Sequence, residues 1–131
     1  MLPGIIYVEI ELYQELVHTM DKELIVYGRT AFCPDQARSL RFLEGNDVPF
    51  RMIRIDEDDQ AGTVVEQWVG HRSVPTIVVA RKGDTMPIEP PTPLPQGRSA
   101  RSFDRGTLIT EPSDEALSKF LQRHGLLNGR A

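Results

Sequence analysis

The chain has 131 residues, a length that suits one domain with a hydrophobic core and is short for two. Its 15 Lys and Arg and 19 Asp and Glu give a net charge of −4, and no basic run is present, which argues against a nucleic-acid partner. No apolar run approaches the roughly 20 residues of a membrane span, and the acidic N-terminus differs from a signal peptide. The single cysteine, Cys33, excludes an internal disulfide and fits a reducing compartment, so we expect a cytoplasmic protein.

The first half of the chain alternates strand and helix signals. The apolar run "KELIVYG" predicts a buried strand over residues 22–28. "PDQARSLRFLEGN" has helical spacing, with Pro34 in the first turn, where no N–H is needed. "PFRMIRIDED" predicts a second strand. "DDQAGTVVEQWVG" predicts a second helix, which the acidic run Asp56 to Asp59 caps.

The second half closes with two strands and a helix. "VPTIVVARKG" predicts a third strand, "GTLITEP" a shorter fourth, and "SDEALSKFLQRHG" a final helix that opens at Ser113. The resulting order is β-α-β-α-β-β-α. It predicts one α/β domain in which helices flank a mixed central sheet.

Two segments fall outside this pattern. Residues 1–21 mix strand and helix signals, and we treat them as an N-terminal extension of a domain that spans residues 22–131. Residues 86–106 are rich in proline and then in Gly, Ser and Arg, which predicts a long loop inside the last hairpin. That loop is either a spacer or a polyproline ligand for a partner.

Cys33 lies where the first strand passes into the first helix. The unpaired N–H groups and the dipole at a helix N-terminus stabilise a thiolate. Arg29, on the loop before it, adds positive charge, and Pro34 starts the helix directly behind it. A lone cysteine can also be a small buried hydrophobe. Here the order strand, turn, Cys-Pro, helix favours a reactive thiol.

The stretch "SVPT", residues 73–76, offers a second candidate element. It is either a proline that opens a strand or a cis Val74–Pro75 bond. In a cis turn the N–H and C=O of Val74 can point outward and pair with an extended thiol peptide.

Three motifs in order, "IVYGRTAFCPDQ", "VPTIVVARKG" and "GTLITEPSDEAL", resemble the glutaredoxin branch of the thioredoxin fold, and the third looks most like the mycoredoxins. The resemblance implies a thioredoxin-like domain in which Cys33 is the nucleophile. We predict no metal-binding residue. The residues that the resemblance assigns to the binding of a small thiol are Arg29, Phe32, Pro34, Arg72, Val74, Pro75 and Thr76.

The chain departs from the dithiol members of that family at Gln36, which stands in the place of the second cysteine. The Gly-Gly kink and acidic pair that grip glutathione in typical glutaredoxins are also not evident after the third strand. One thiol still supports a monothiol route, in which Cys33 takes a small thiol from a protein mixed disulfide and a second small thiol releases it. We therefore predict a monomeric, monothiol thiol-disulfide oxidoreductase with glutathione or another low-molecular-weight thiol as co-substrate.

Two alternatives remain at this point. Some monothiol glutaredoxins hold a [2Fe–2S] cluster between two subunits and two glutathiones, although they usually carry Gly where this chain has Pro34. The chain can also be a non-catalytic thioredoxin-fold binding module, since Gln36 is what a degenerating dithiol site would show. For the side chains beside the thiol, we expect a solvated Asp35, and a Gln36 that faces solvent or bonds to the sulfur.

Overall fold

The computed structural model describes residues 21–127, so the predicted extension lies almost wholly outside the described residues. The elements are β1 Lys22–Gly28, α1 Pro34–Gly45, β2 Arg51–Arg54, α2 Asp59–Val69, β3 Thr76–Arg81, β4 Leu108–Thr110 and α3 Asp114–Arg123. This order confirms the predicted β-α-β-α-β-β-α succession. Within the described range, no helix is long and apolar enough to cross a membrane.

The strands form one four-stranded mixed sheet in the order β2-β1-β3-β4. β1 pairs with β2 in parallel and with β3 in antiparallel, and β4 adds an antiparallel edge to β3. A crossover connection through α1 joins the parallel strands β1 and β2. The arrangement is that of a thioredoxin-like α/β fold, as predicted.

The core has two apolar clusters, one on each face of the sheet. Successive side chains of a strand point to opposite faces. Leu24 and Val26 of β1 therefore enter a cluster with Phe120 of α3, whereas Ile25 and Tyr27 enter a cluster with Val65 of α2. Helices α1 and α3 cover the first face and α2 covers the second. The Cys33 side chain packs against the second cluster.

Polar side chains at the helix starts explain where α2 and α3 begin. The carboxylate of Asp58 accepts a hydrogen bond from the Ala61 N–H at 3.1 Å, which confirms that the acidic run caps α2. Ser113 caps α3 in the same way by accepting from the Ala116 N–H. Helix α1 differs, because its N-cap residue is Cys33, which makes no side-chain capping bond, and Pro34 follows it at the first turn.

Residues 82–107 connect β3 to β4, and we call them the insert. Its two ends are tied to the sheet and to each other: the Ile88 N–H donates to Val79 O at 3.0 Å, and the Thr107 hydroxyl donates to Glu89 O at 3.1 Å. Arg105, near the C-terminal end of the insert, has only 7 % of its surface exposed. Its guanidinium donates to the carbonyls of Trp68 at 2.7 Å and Thr92 at 2.8 Å.

Arg105 therefore joins the insert to the last turn of α2, where helix carbonyls lack partners within the helix. Burial lowers the pKa of this guanidinium. The carbonyl dipoles offset the charge of the guanidinium. We therefore expect each of these hydrogen bonds to stabilise the fold more than a contact at the surface does.

We expect Arg105→Met to keep the aliphatic packing and lose both hydrogen bonds. The free energy of unfolding should fall by about 2–3 kcal/mol, the cost of removing a charged donor from two partly buried hydrogen bonds. Urea denaturation followed by circular dichroism measures it. The matched control is Arg98→Met in the same insert, whose guanidinium lies over the Phe103 ring at 4.7 Å and should contribute under about 1 kcal/mol. Equal losses in the two variants would contradict the anchoring role.

Candidate active site at Cys33

Cys33 and the Val74–Pro75 turn meet at one end of the sheet. Cys33 is half-buried and has extended backbone angles, with φ −143° and ψ 120°. Its Sγ lies 3.8 Å from the carbonyl oxygen of Val74. The Val74–Pro75 peptide bond is cis, as one reading of the sequence predicted. Two segments that lie 41 residues apart in the chain thus form a single site.

The turn is held by hydrogen bonds on the side of β4. The carbonyl of Pro75 accepts from the Glu111 N–H at 2.8 Å. Thr76 is fully buried, and its hydroxyl bonds to Ser73 O at 2.9 Å and to the Thr110 hydroxyl at 3.1 Å. Thr76 therefore supports the turn from inside. Among the described residues, no hydrogen bond uses the N–H of Val74, a residue that is 6 % exposed.

Gln36 closes the loop between β1 and α1. Its Oε1 accepts from the Arg29 N–H at 2.8 Å and its Nε2 donates to Arg29 O at 2.9 Å, as a neighbouring strand would. Only 8 % of the residue is exposed. The expectation that Gln36 faces solvent or bonds to the sulfur is therefore wrong, because the Arg29 backbone occupies both ends of its amide. Gly28 makes room for it, since a Cβ there would lie 2.5 Å from Oε1.

A hydrogen bond within the loop joins Arg29, after β1, to Phe32, before Cys33. Arg29 Nη2 donates to Phe32 O at 3.2 Å, so its guanidinium spans the loop just before Cys33. The Phe32 side chain points outward and is 78 % exposed. An exposed apolar ring thus stands on the residue directly before Cys33.

Asp56 fixes the tip of the same loop, a role that sequence reasoning missed. Its carboxylate accepts from the Thr30 N–H at 2.9 Å and from the Ala31 N–H at 3.3 Å. The hydrogen bond from Thr30 lowers the pKa of Asp56. The sequence showed only an acidic run ahead of a helix. It gave no sign that one carboxylate in the run reaches back to the β1–α1 loop.

Arg72, a predicted ligand of the small thiol, is engaged by α2. Its guanidinium bonds to Asp59 at 3.0 Å and approaches Glu66 at 3.6 Å. The hydrogen bond with Asp59 raises the pKa of Arg72. The guanidinium lies over Gly62, where a Cβ would come within 2.6 Å of Nη1. A carboxylate of a small thiol would compete with two carboxylates for this side chain.

Asp35, two residues after Cys33, is not solvated as expected. Its side chain is only 19 % exposed and bonds to Arg38 of the same helix at 2.9 Å. Arg101 of the insert grips it with both Nη atoms, at 2.7 and 2.8 Å, and also reaches Glu111 at 3.2 Å. The hydrogen bonds from Arg101 lower the pKa of Asp35, while burial raises that of Glu111.

The site therefore combines one sulfur, a helix N-terminus, and a carbonyl and free N–H of an extended turn. These are the groups that a thiolate nucleophile and a backbone-pairing ligand need. Within residues 21–127, no group of three or more His, Cys, Asp or Glu side chains is placed to hold a metal ion. The binding roles that the resemblance assigns to the surrounding residues stay predictions.

Comparison with known proteins agrees with the resemblance seen in the motifs. Residues 24–83 match the family model described as Glutaredoxin, a span that contains both Cys33 and the cis turn. The solved structure of a buckwheat glutaredoxin–glutathione complex is similar, with 17 % identity, a TM-score of 0.49, and coverage of 91 % of this chain and 94 % of that one. No curated protein matches the chain.

We expect Gln36→Ala to destabilise the domain, because it leaves the N–H and C=O of Arg29 without their partner. The loss in the free energy of unfolding should be about 1–3 kcal/mol, as for other polar groups left unsatisfied near a core. Urea unfolding gives the value. The matched control is Gln60→Ala on the exposed start of α2, which should change it by under about 0.5 kcal/mol. A loss no larger than the control's would show that the amide bridge contributes nothing.

Proposed function

Since the chain is a glutaredoxin-like protein of the thioredoxin fold, we propose that it is a monothiol thiol-disulfide oxidoreductase. Its substrate is a mixed disulfide between a protein and a low-molecular-weight thiol, and glutathione or a similar thiol is its co-substrate. The observation that carries the proposal is the contact of Cys33 Sγ with Val74 O, 3.8 Å, beside the free N–H of the same residue. A small thiol whose sulfur is bound to Cys33 thus lies next to a backbone donor and a backbone acceptor of Val74. These two groups can pair with the backbone of the small thiol.

In the first step, the Cys33 thiolate attacks the sulfur of the small thiol in the mixed disulfide. A bond forms between Sγ and that sulfur, the original S–S bond breaks, and the protein leaves as a thiolate that takes a proton from water. The small thiol is a short peptide or amide, so its N–H and C=O pair with Val74 as an added strand. That pairing holds the disulfide in line with Sγ.

In the second step, a free small thiol, as its thiolate, attacks the small-thiol sulfur of the adduct. The small disulfide leaves, and Cys33 returns as a thiolate. The net reaction converts one protein mixed disulfide and one small thiol into a protein thiol and a small disulfide. Gln36 offers no sulfur and its amide is committed to Arg29, so no step forms an internal disulfide.

Cys33 is the N-cap residue of α1 and its side chain makes no capping hydrogen bond. The free N–H groups and the dipole at a helix N-terminus interact favourably with a negative charge placed there. Arg29 holds the Phe32 carbonyl and adds positive charge on the same loop. The exposed Phe32 ring supplies contact to the protein half of the substrate. A compartment that keeps the small thiol reduced, such as the cytoplasm, suits this chemistry.

The test is turnover of a peptide that carries glutathione in a mixed disulfide, with reduced glutathione in excess. We expect multiple turnovers by the native chain, and the uncatalysed rate with Cys33→Ser, because only the sulfur can carry the adduct. Release of the peptide thiol is read by mass spectrometry. The single glutathione adduct of Cys33 should be trapped when the small thiol is left out.

The matched comparison uses insulin, whose disulfides join two protein segments. We expect reduction of insulin to be at least about tenfold slower, since one thiolate cannot resolve the mixed disulfide that it forms with a protein. Equal rates on the two substrates would rule out the monothiol route. A native chain no faster than Cys33→Ser on the glutathione peptide would rule out catalysis altogether.

A further inference from the structure

Arg101 reaches the active site from the insert, a segment outside the motifs that define the site. It forms a two-pronged ion pair with Asp35 in the first turn of α1, at 2.7 and 2.8 Å, and a third bond to Glu111 at 3.2 Å. Planar guanidinium and carboxylate groups match in this geometry, which makes the pair specific as well as favourable. The insert is therefore linked to the residue two positions from the thiol.

The backbone at Arg101 is fixed and does not depend on the ion pair alone. Arg101 forms a parallel bridge with Thr110, and the Ser102 N–H donates to Thr110 O at 2.8 Å. The Ser102 hydroxyl accepts from the Ser113 N–H at 2.9 Å, which ties it to the N-cap of α3. Arg101 is thus held against the end of β4, beside the Val74–Pro75 turn.

The charges of this cluster balance. Asp35 and Glu111 carry two negative charges, and Arg38 and Arg101 carry two positive ones. The hydrogen bond with Asp35 raises the pKa of Arg101. Asp35 lies in the first turn of α1, two residues after Cys33, so the ion pair places this guanidinium on the helix that begins at the thiol. Without Arg101, a net negative charge would lie beside a sulfur that must react as an anion.

We propose that Arg101 is a positioning residue that neutralises Asp35 and Glu111 and so lets Cys33 react with negatively charged thiols and disulfides. The insert would then select carboxylate-bearing small thiols over neutral or cationic ones. This choice of small thiol rests on the proposed function. The electrostatic role of Arg101 at the sulfur does not, and it can be measured without turnover.

The experiment compares two alkylating reagents on the native chain and on Arg101→Ala. Iodoacetate is anionic and iodoacetamide is neutral, and both form an S–C bond with Cys33 while iodide leaves. Because Cys33 is the only cysteine, intact mass reads a single site. We expect Arg101→Ala to lower the ratio of the iodoacetate rate to the iodoacetamide rate about threefold, the size of effect that one nearby unit charge has in water. At 0.5 M NaCl the difference should largely vanish.

Three further variants separate charge from structure. Arg98→Ala removes a cation from the same insert that lies over Phe103, and should leave the ratio unchanged. Arg101→Lys should keep most of the native ratio. The double variant Arg101→Ala with Asp35→Asn should return towards the native ratio, because it removes the carboxylate that Arg101 neutralises.

The proposal is overturned if Arg101→Ala leaves the ratio at its native value, either with both rates unchanged or with both rates lowered by the same factor. The second result would assign Arg101 a purely structural role. The outcomes for the two proposals are separable. A native chain that fails on the glutathione peptide while Arg101 still governs the alkylation ratio would refute the proposed function and keep the electrostatic role.

Discussion

The antiparallel pairing of β1 with β3 decides where this protein can do chemistry. In that register Tyr27, near the end of β1, faces Thr76, the first residue of β3. The chain leaving β1 and the chain entering β3 therefore lie at the same end of the sheet. The first carries Cys33 and the second carries Val74 and Pro75, and this is why Sγ and Val74 O come within 3.8 Å. Any change that shifted this register would separate the sulfur from its neighbouring backbone groups.

The glutamine at position 36, four residues into the Cys33 motif, bonds to the loop that leaves β1. A loop that leaves a central strand must satisfy its backbone groups, and the Gln36 amide does so at both ends of Arg29. A resolving cysteine there could not make these two bonds. Gln36 thus ties the first turn of α1 to the loop through both ends of its amide.

The fold was predictable because its signals are local. Pro34 and Ser113 mark helix starts, and the alternation of apolar residues marks β1 and β3, so each element follows from a short stretch of sequence. The positions of Cys33 and Val74 followed from motifs for the same reason. The hydrogen-bond partners of Asp35, Asp56 and Gln36 could not be predicted from the sequence. Asp35 and Asp56 bond to residues far away in the chain, whose positions depend on the whole fold. Gln36 bonds to a backbone group of Arg29, which no sequence pattern marks.

The insert shows the limit of reading composition. Its prolines correctly predict a segment without regular helix or strand. The composition does not indicate which residues of the segment bond to the rest of the domain. Buried Arg105 and the pairing of Ser102 with Thr110 do so, and they also fix the backbone from which Arg101 extends.

Around the sulfur, the polar groups of Gln36, Asp35 and Arg101 are all engaged by other parts of the chain. What is left for a ligand is the thiol, the Val74 backbone and the net field of the cluster. Backbone pairing accepts many peptides, so it distinguishes one small thiol from another poorly. In the proposal above, discrimination between small thiols therefore comes from charge, and the charge of Asp35 is balanced by Arg101 of the insert.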